Sequence, residues 1–282
     1  MSMTDSSSRS PQAQGDTGHA TYGDYKAMQR SKLRTWSLVG AVILIGYVWS
    51  TFGTGFNPVD FVRAFGTSVV FIVTEMLPPD LSIIPRLVGP ALDTLYMSYV
   101  AAIACIFLSI PIGLLGARQT RLGPISFYAA RILTAFVRSL PSLILAIFLV
   151  AIMGIGAVAG TFAMAIGGVG ILGKLYYEAI DTTSLNQITG INAAGGTWLQ
   201  KVGQGVWPQA RPALVTWSLF RLDLNIRSAA VLGLVGAGGI GFDLDVALKL
   251  FQYQQATTII LVIFVMVIMV EAINGTIRKY TL

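Results

Sequence analysis

The stretch that decides the fold runs from Leu87 to Gly116 and reads LVGPALDTLYMSYVAAIACIFLSIPIGLLG. Asp93 is its only charged residue, and the stretch exceeds the roughly 20 apolar residues that a helix needs to cross a hydrocarbon core of about 30 Å. The 282-residue chain shares this character, since 54% of its residues are hydrophobic, 11% are charged and its mean hydropathy is +0.70. Charged residues make up about 25% of soluble domains. The sequence therefore predicts an all-α integral membrane protein.

Five other apolar stretches have the length and composition of membrane spans. The sequence therefore predicts six transmembrane helices, at Leu33–Phe52, Leu87–Gly116, Leu122–Met153, Gly156–Tyr177, Ala213–Val235 and Thr257–Gly275. Residues 1–30 are rich in Ser, Gln, Gly and Thr and lack apolar periodicity, which predicts a disordered tail. We assign residues 31–85 to the first span and the segment that follows it, and residues 86–282 to the main transmembrane domain.

The segment Pro58–Leu77 follows the first span and combines three charged residues, Asp60, Arg63 and Glu75, with apolar positions at helical intervals. Its helical spacing is typical of an amphipathic helix that lies along the outer membrane interface. If this segment does not cross, most Lys and Arg residues of the loops fall on one side, which marks that side as cytoplasmic. They are Lys26, Arg30, Lys32, Arg34, Arg118, Arg121, Lys201, Arg211, Arg278 and Lys279. Both termini are then predicted to be cytoplasmic.

Composition also excludes several classes of function. The net charge of +6 is interpreted as a signal of membrane orientation. No RNA- or DNA-binding motif accompanies it, so no nucleic-acid partner is expected. Cys105 and His19 are the only cysteine and histidine, and they fall in a span and in the tail. The sequence therefore offers no multi-cysteine metal site and no histidine suited to acid–base catalysis, which argues against an enzyme.

A long polar insert, Glu178–Pro212, interrupts the spans and reads EAIDTTSLNQITGINAAGGTWLQKVGQGVWPQARP. Its apolar residues recur at helical intervals, which predicts two short helices over Thr182–Ile191 and Thr197–Gln204. A run of small residues between them allows a sharp reversal. Trp198 and Trp207 are rigid aromatic side chains of the kind that dominate interfaces. A compact helical insert of this type predicts a binding surface for a partner in the aqueous phase.

Two glycine-rich strings match nucleotide-binding motifs but lie among the spans. Gly168–Lys174 matches GxxxxGK, yet Leu175 follows where a Ser or Thr would bind magnesium. Its small residues instead favour close helix packing in lipid. The string Gly236–Gly241 matches GxGxxG, but no βαβ unit surrounds it. We expect a re-entrant turn at the outer face, formed by Gly236, Gly238, Gly239 and Gly241.

Two segments resemble signatures of phosphonate-type ABC importer permeases. Arg221–Gly241, RLDLNIRSAAVLGLVGAGGIG, closely resembles the fifth-span signature of that family, and Arg138–Ser142, RSLPS, resembles a second signature on the third span. The resemblance extends from about Arg86 to the C-terminus. It implies the type I (MetI-like) ABC importer permease fold, in a subunit that has no nucleotide site of its own.

The same resemblance identifies the insert, residues 178–212, as the coupling loop that receives a cytoplasmic ATPase. Gly195 and Pro208 keep the spacing of the family pattern, which is EAA, three residues, Gly, nine residues and Ile-x-Leu-Pro, whereas Thr189 replaces the glutamate. The other departures are Gly190, Ile191, Gly205 and Trp207. The resemblance implies that the ATPase docks on Asn192, Ala193, Ala194, Gly195, Gly196, Thr197, Trp198 and Pro208.

Ionisable residues inside the spans are candidates for a translocation pathway, because each costs about 2.5–3.5 kcal/mol to insert. Arg131 and Arg138 share one face of the third span, and Asp223 and Arg227 are spaced for an ion pair within the fifth span. A guanidinium matches the geometry of phosphonate, phosphite and phosphate oxyanions. We predict a pathway of Arg131, Arg138, Ser139, Asp223, Asn225 and Arg227. The alternatives are a structural Asp223–Arg227 pair and a packing role for Arg138.

The resemblance also implies a set of partners at the bacterial inner membrane. They are a second copy of the permease in a homodimer, two cytoplasmic ATPase subunits that bind ATP and Mg²⁺, and an extracytoplasmic phosphonate- or phosphate-binding protein. The expected function is ATP-driven import of such oxyanions, with no cofactor in this chain. Three alternatives stay open: a permease for an amino acid or osmolyte, a membrane-embedded transferase, and a structural or assembly protein.

Overall fold

The computed structural model describes residues 22–55 and 57–281, and every regular element in this part of the chain is helical. The helices are α1 (Tyr22–Thr54), α2 (Pro58–Phe71), α3 (Ile84–Gly116), α4 (Pro124–Ser139), α5 (Ser142–Met153), α6 (Ala157–Asp181), α7 (Leu185–Ala193), α8 (Trp198–Gln200), α9 (Trp207–Gly233), α10 (Ile240–Lys249) and α11 (Tyr253–Thr281). Shorter helical turns lie at Ile72–Met76, Leu81–Ile83 and Lys201–Val206. The chain divides into two units after Val69.

The first unit contains α1 and most of α2. Within α1, Lys32–Thr54 is long and apolar enough to span a membrane. The helix begins at Tyr22, so the end of the predicted tail is helical instead of disordered, because Lys26, Ala27 and Met28 favour helix. Residues 1–21 of that tail lie outside the described residues. The predicted amphipathic helix is present as α2 and the π turn after it, and its place at the membrane interface stays a prediction.

Helices α3, α6 and α9 form the centre of the second unit, and glycines allow them to approach closely. A Cβ added to Gly113 of α3 would lie 2.7 Å from Tyr176 Cβ of α6. One added to Gly168 of α6 would lie 2.7 Å from Arg221 Nε of α9. Small residues of this kind are typical of helix packing in lipid. The string Gly168–Lys174 is therefore a packing surface within α6, as the sequence predicted.

Helices α4 and α5 replace the single third span that the sequence predicted. Their axes differ by 82° at the break after Ser139. Pro141 causes this break, because it has no N–H to donate and forces the residue before it out of the helical region. Leu140 accordingly has φ −88° and ψ 117°. The prediction of one continuous helix over Leu122–Met153 is wrong.

Four helices of the described residues are long and apolar enough to cross a membrane, or five spans if α4 and α5 together count as one. Helix α9, the predicted fifth span, has 27 residues, which is about 40 Å of helix. Its length therefore suits a span, but Arg221, Asp223 and Arg227 lower its hydropathy. The number of six spans stays a prediction.

A glycine-rich turn joins α9 to α10. Three of its residues have the positive φ that side chains with a Cβ rarely adopt: Gly236 (+86°), Gly238 (+78°) and Gly239 (+70°). Gly241 packs on the end of α9, where an added Cβ would lie 2.0 Å from Ala230 O. Ile240 N donates to Thr94 Oγ1 at 2.8 Å, which holds the turn against α3. A turn is present at the predicted glycines, and its re-entrant character and its place at the outer face stay predictions.

Candidate functional site: a helical loop and the charges of the spans

The polar insert folds as a compact helical loop between α6 and α9. The side chain of Ser184 caps α7 by accepting from Asn186 N at 3.4 Å. After α7 the chain reverses at Gly195, whose φ is +75°. Gly196 N donates to Ile191 O at 2.9 Å, and a Cβ on Gly196 would come within 2.5 Å of Ile191 Cγ2. The run of small residues thus makes the sharp reversal that the sequence predicted.

The second arm of the loop is continuous with α9. Thr197 and Gln200 form a reciprocal capping box, in which Gln200 Oε1 accepts from Thr197 N at 2.8 Å. The helix then passes through the π turn Lys201–Val206 into α9. The prediction of a separate helix over Thr197–Gln204 is therefore wrong at its C-terminal end. The π turn precedes Pro208, and each of its hydrogen bonds joins residues five apart instead of four. This wider spacing accommodates Pro208, which has no N–H to donate.

The inner face of the loop is part of the apolar core of the spans. One cluster of buried residues contains members of the loop and of α6 and α9: Tyr176, Ile180, Ile188, Val206, Ala210 and Leu214. Gln209 of α9 adds a polar connection, because its Oε1 accepts from Ser184 N at 2.8 Å and its Nε2 donates to Gln187 Oε1 at 3.0 Å. The loop is consequently a rigid extension of α6 and α9, since it has no independent core.

The outer face of the loop presents small and apolar side chains. Ala193, Ala194 and Gly195 are exposed at the reversal, and Leu199 on the second arm is 74% exposed. Trp198 instead lies partly inside, where its Nε1 donates to Thr120 O at 2.7 Å. Sequence reasoning missed Leu199. The capping box at residues 197–200 was the available signal, because it fixes where the helix begins and therefore which way Leu199 faces.

Arg138 is an exposed cation at the break between α4 and α5. No ion pair among the described residues includes it. Its backbone is held closely, because a Cβ on Gly170 of α6 would lie 2.8 Å from Arg138 N. The exposed Ser139 follows, with its Oγ donating to Phe136 O at 2.7 Å. An exposed guanidinium without a carboxylate partner is suited to bind an anion.

Asp223 and Arg227 form the ion pair that their spacing predicted, with 2.8 Å between Arg227 Nη2 and Asp223 Oδ2. Glu271 of α11 also approaches, at 3.8 Å from Arg227 Nη2. The sequence analysis paired Arg227 with Asp223 alone and missed Glu271, which is 44 residues beyond Arg227 along the chain. Two carboxylates thus surround one guanidinium. This cluster carries a formal charge of −1 and does not favour a bound anion.

Asn225 and Arg221 lie one helical turn apart on α9 and are both buried, at 0% and 5% exposure. Asn225 Nδ2 donates to Ser98 O at 3.2 Å, and Arg221 Nη2 donates to Met164 O at 3.0 Å. Asn225 was predicted to line the pathway. The structure places it in the contact between α3 and α9, where it holds the two helices together.

Arg131 lies on α4 but pairs with a residue that sequence reasoning did not associate with it. Its Nη2 is 3.0 Å from Asp181 Oδ2, at the end of α6, and its Nε donates to Gly116 O at 3.0 Å. The side chain thus turns towards the start of the polar loop. Arg131 and Arg138 share a helix as predicted, but the structure does not bring their side chains to one site.

Comparisons with known proteins agree with this architecture. The family model for the binding-protein-dependent transport system inner membrane component matches residues 109–277. The chain is 37% identical over 213 residues to the phosphite transport system permease protein of Stutzerimonas stutzeri, which covers 76% of this chain and 78% of that relative. It is 39% identical over 211 residues to the phosphate-import permease protein of Mycolicibacterium smegmatis, covering 74% of this chain but 40% of that relative.

Solved structures confirm the fold class. An inward-facing form of the MetNI methionine ABC transporter superimposes with a TM-score of 0.64 at 22% identity, covering 72% of this chain and 99% of that chain. An amino acid ABC transporter with histidines gives a TM-score of 0.60 at 15% identity, with 71% and 96% covered. Similarity at these identities shows the fold alone. The predicted MetI-like permease fold is correct.

Proposed function

The chain belongs to the binding-protein-dependent transport system inner membrane components, which makes it the permease subunit of an ABC importer, and we propose that it carries small phosphorus oxyanions. Phosphite, phosphate and phosphonate share a tetrahedral phosphorus with negatively charged oxygens. The proposal is supported by relatives that are described as phosphite and phosphate permeases and by the free cation of α4. Selection among the three anions would be made by an extracytoplasmic binding protein.

The observation that carries the proposal is the contrast between Arg138 and Arg227. Both are exposed arginines on helices of the second unit. Arg227 already has Asp223 and Glu271 within 4 Å, whereas Arg138 has no ion pair among the described residues. An anion that passes along these helices is therefore attracted by Arg138 and Ser139. Asp223 and Arg227 lie along the same route in this proposal but do not hold the anion, because their cluster with Glu271 carries a formal charge of −1. Weak binding there suits a pathway, since a pathway must also release its solute.

Coupling to ATP would be mechanical. Two cytoplasmic ATPase subunits bind ATP and Mg²⁺, and each docks on the exposed rim of one coupling loop. In this proposal the rim consists of Asn192, Ala193, Ala194, Gly195, Gly196, Thr197 and Leu199, with the partly buried Trp198 behind it and the exposed Pro208 at the start of α9. Because Ile188 and Val206 are buried in the same cluster as residues of α6 and α9, movement of the rim is transmitted to both helices as a rigid-body rotation.

The assembly that we propose contains two copies of this chain, with both termini on the cytoplasmic side of the bacterial inner membrane. The second copy completes the pathway, since one bundle supplies one wall. The ATPase subunits contribute all of the catalysis. The binding protein delivers the anion to the side of the membrane where the turn at Gly236–Gly241 lies.

Uptake by the reconstituted assembly tests this function. Proteoliposomes that contain the permease, its ATPase and its binding protein should accumulate labelled phosphate, phosphite or a phosphonate only when ATP is enclosed with the ATPase. Arg138→Gln should lower the rate at least about tenfold, because a charge-assisted hydrogen bond contributes about 1.5–3 kcal/mol. Arg227→Gln, the matched control, should change it less than about threefold.

Two results would contradict the proposal. Accumulation of an amino acid or osmolyte, with none of the three anions carried, would replace the substrate class. Equal losses from Arg138→Gln and Arg227→Gln would remove the distinction between the two arginines on which the substrate argument depends.

A further inference from the structure

The connection between α3 and α4, residues 117–123, contacts both arms of the coupling loop. At the first arm, Arg118 N donates to Asp181 Oδ1 at 2.6 Å. At the second arm, Trp198 Nε1 donates to Thr120 O at 2.7 Å. The connection itself is braced, because Thr120 Oγ1 donates to Leu114 O at 2.6 Å. A single short segment thus bridges the two ends of the loop.

Gln119 strengthens the bridge to the first arm. Its Nε2 donates to Asp181 O at 3.2 Å and to Thr183 O at 3.0 Å. Its Oε1 accepts from Thr183 Oγ1 at 2.6 Å. Both ends of the amide are therefore satisfied by the residues that lead from α6 into the loop. Because several bonds must break together before the segments separate, this contact is stiffer than a single hydrogen bond.

Arg131 attaches α4 to the same place. Its ion pair with Asp181 is 3.0 Å long, and the two side chains are only 30% and 22% exposed. The guanidinium also lies over two aromatic rings, at 4.3 Å from the centroid of Phe127 and 4.6 Å from that of Tyr177. Flat packing between rings together with a carboxylate partner uses both properties of a guanidinium. Because the pair is partly buried, salt screens it less than a fully exposed pair.

We propose that Arg131 and Asp181, with residues 118–120, form a joint that transmits movement of the coupling loop to α4. Helices α6 and α9 are joined to the loop covalently, whereas α4 packs on α6 and is held to the start of the loop by this joint as well. The other end of α4 carries Arg138, so the joint connects the ATPase-facing loop to the anion-attracting cation. Arg131 is then a positioning residue and not a member of the pathway. The inference rests on the proposed function, because it deepens the account of coupling.

The joint is tested by the number of anions carried per ATP hydrolysed in the reconstituted assembly. Asp181→Asn keeps the shape of the side chain and removes its charge, and it should lower this ratio about three- to tenfold, the usual size of an effect along a coupling route. Glu178→Gln is the matched control, since Glu178 lines the same cavity but its one ion pair in the described part of the chain is with Lys174 on its own helix. Its ratio should equal that of the wild type. An unchanged ratio for Asp181→Asn would overturn the proposal.

A merely structural role would lower the amount of folded assembly and leave the ratio unchanged, so the ratio separates the two. Arg131→Lys provides a graded check, because lysine keeps the charge but loses the bond to Gly116 O and the flat packing. Its ratio should fall between those of the wild type and Asp181→Asn. A ratio for Arg131→Lys below that of Asp181→Asn would contradict the assigned role of the ion pair.

A readout without transported solute distinguishes failure of the joint from failure of the substrate assignment. In a Cys105→Ser background, Ser139→Cys should react with a maleimide at a rate that changes when ATP is added to the assembly. Adding Asp181→Asn should reduce that ATP-dependent change about threefold or more. If the wild type carries no oxyanion, the substrate proposal fails. This labelling experiment still tests whether the joint transmits movement to α4. A full ATP response in the Asp181→Asn variant would refute it.

Discussion

Ile188→Ala should loosen the coupling loop from the spans without disturbing its exposed rim. Ile188 is 5% exposed, and it belongs to the cluster that contains Val206, Ala210 and residues of α6. Replacing a buried Ile with Ala costs about 2–5 kcal/mol, because the lost contacts leave a cavity. The wild type loses these contacts only when α7 opens locally, so the substitution lowers the free energy of that opening. A loss of 2 kcal/mol should raise the open population about 30-fold.

Amide hydrogen exchange measures this opening directly. In purified protein, peptides that cover Leu185–Ala193 should exchange at least about 30 times faster in Ile188→Ala than in the wild type. Leu185→Ala is the matched control, because Leu185 is on the same helix and is 61% exposed; its exchange should stay within about threefold. Unchanged exchange in Ile188→Ala would refute the conclusion that the loop shares the core of the spans.

Further substitutions test the backbone and the helix packing. Gly195→Ala should destabilise the loop by about 1–2 kcal/mol, because Gly195 has φ +75°. Gly190→Ala should instead stabilise the loop by about 0.8–1 kcal/mol, since Gly190 is helical and has open space around it. Loop hydrogen exchange should therefore change in opposite directions, and a shared direction would contradict the assignment. Gly170→Ala should lower the midpoint of thermal unfolding, because overpacking against Arg138 N costs about 1–3 kcal/mol. Gly89→Ala should not lower it, since an added Cβ on Gly89 would have no neighbour within 4 Å. Equal midpoints for the two variants would contradict the close contact of α4 and α6.

Much of the fold could be predicted from local pattern. Apolar length located α1, α3, α6 and α11, which are long and apolar enough to cross a membrane. Small residues located the close packing of α6, and the glycines at 236–241 located a turn. The break after Ser139 was missed, although its cause is local. Arg138–Ser142 was interpreted as a signature within a span, and the effect of Pro141 on Leu140 was not weighed.

The candidate site was predicted less completely, because its partners are distant in sequence. Asp181 is 50 residues from Arg131, and Glu271 is 44 residues from Arg227. Pattern within one helix identifies Asp223 as a partner of Arg227, since a spacing of four residues places both on one face. It contains no information on which other helix contributes a charge. Only the packing of α4 on α6 and of α9 on α11 brings these groups together.

Cross-linking from the exposed rim tests the central claim most directly, that a cytoplasmic ATPase works this permease through the loop. In a Cys105→Ser background, Leu199→Cys places a thiol where 74% of the side chain is exposed, and Leu250→Cys places one at a similarly exposed position on the predicted opposite side. In membranes that contain the assembly, Leu199→Cys should cross-link to the ATPase and Leu250→Cys should not. An ATPase adduct at Leu250, or none at Leu199, would contradict the account.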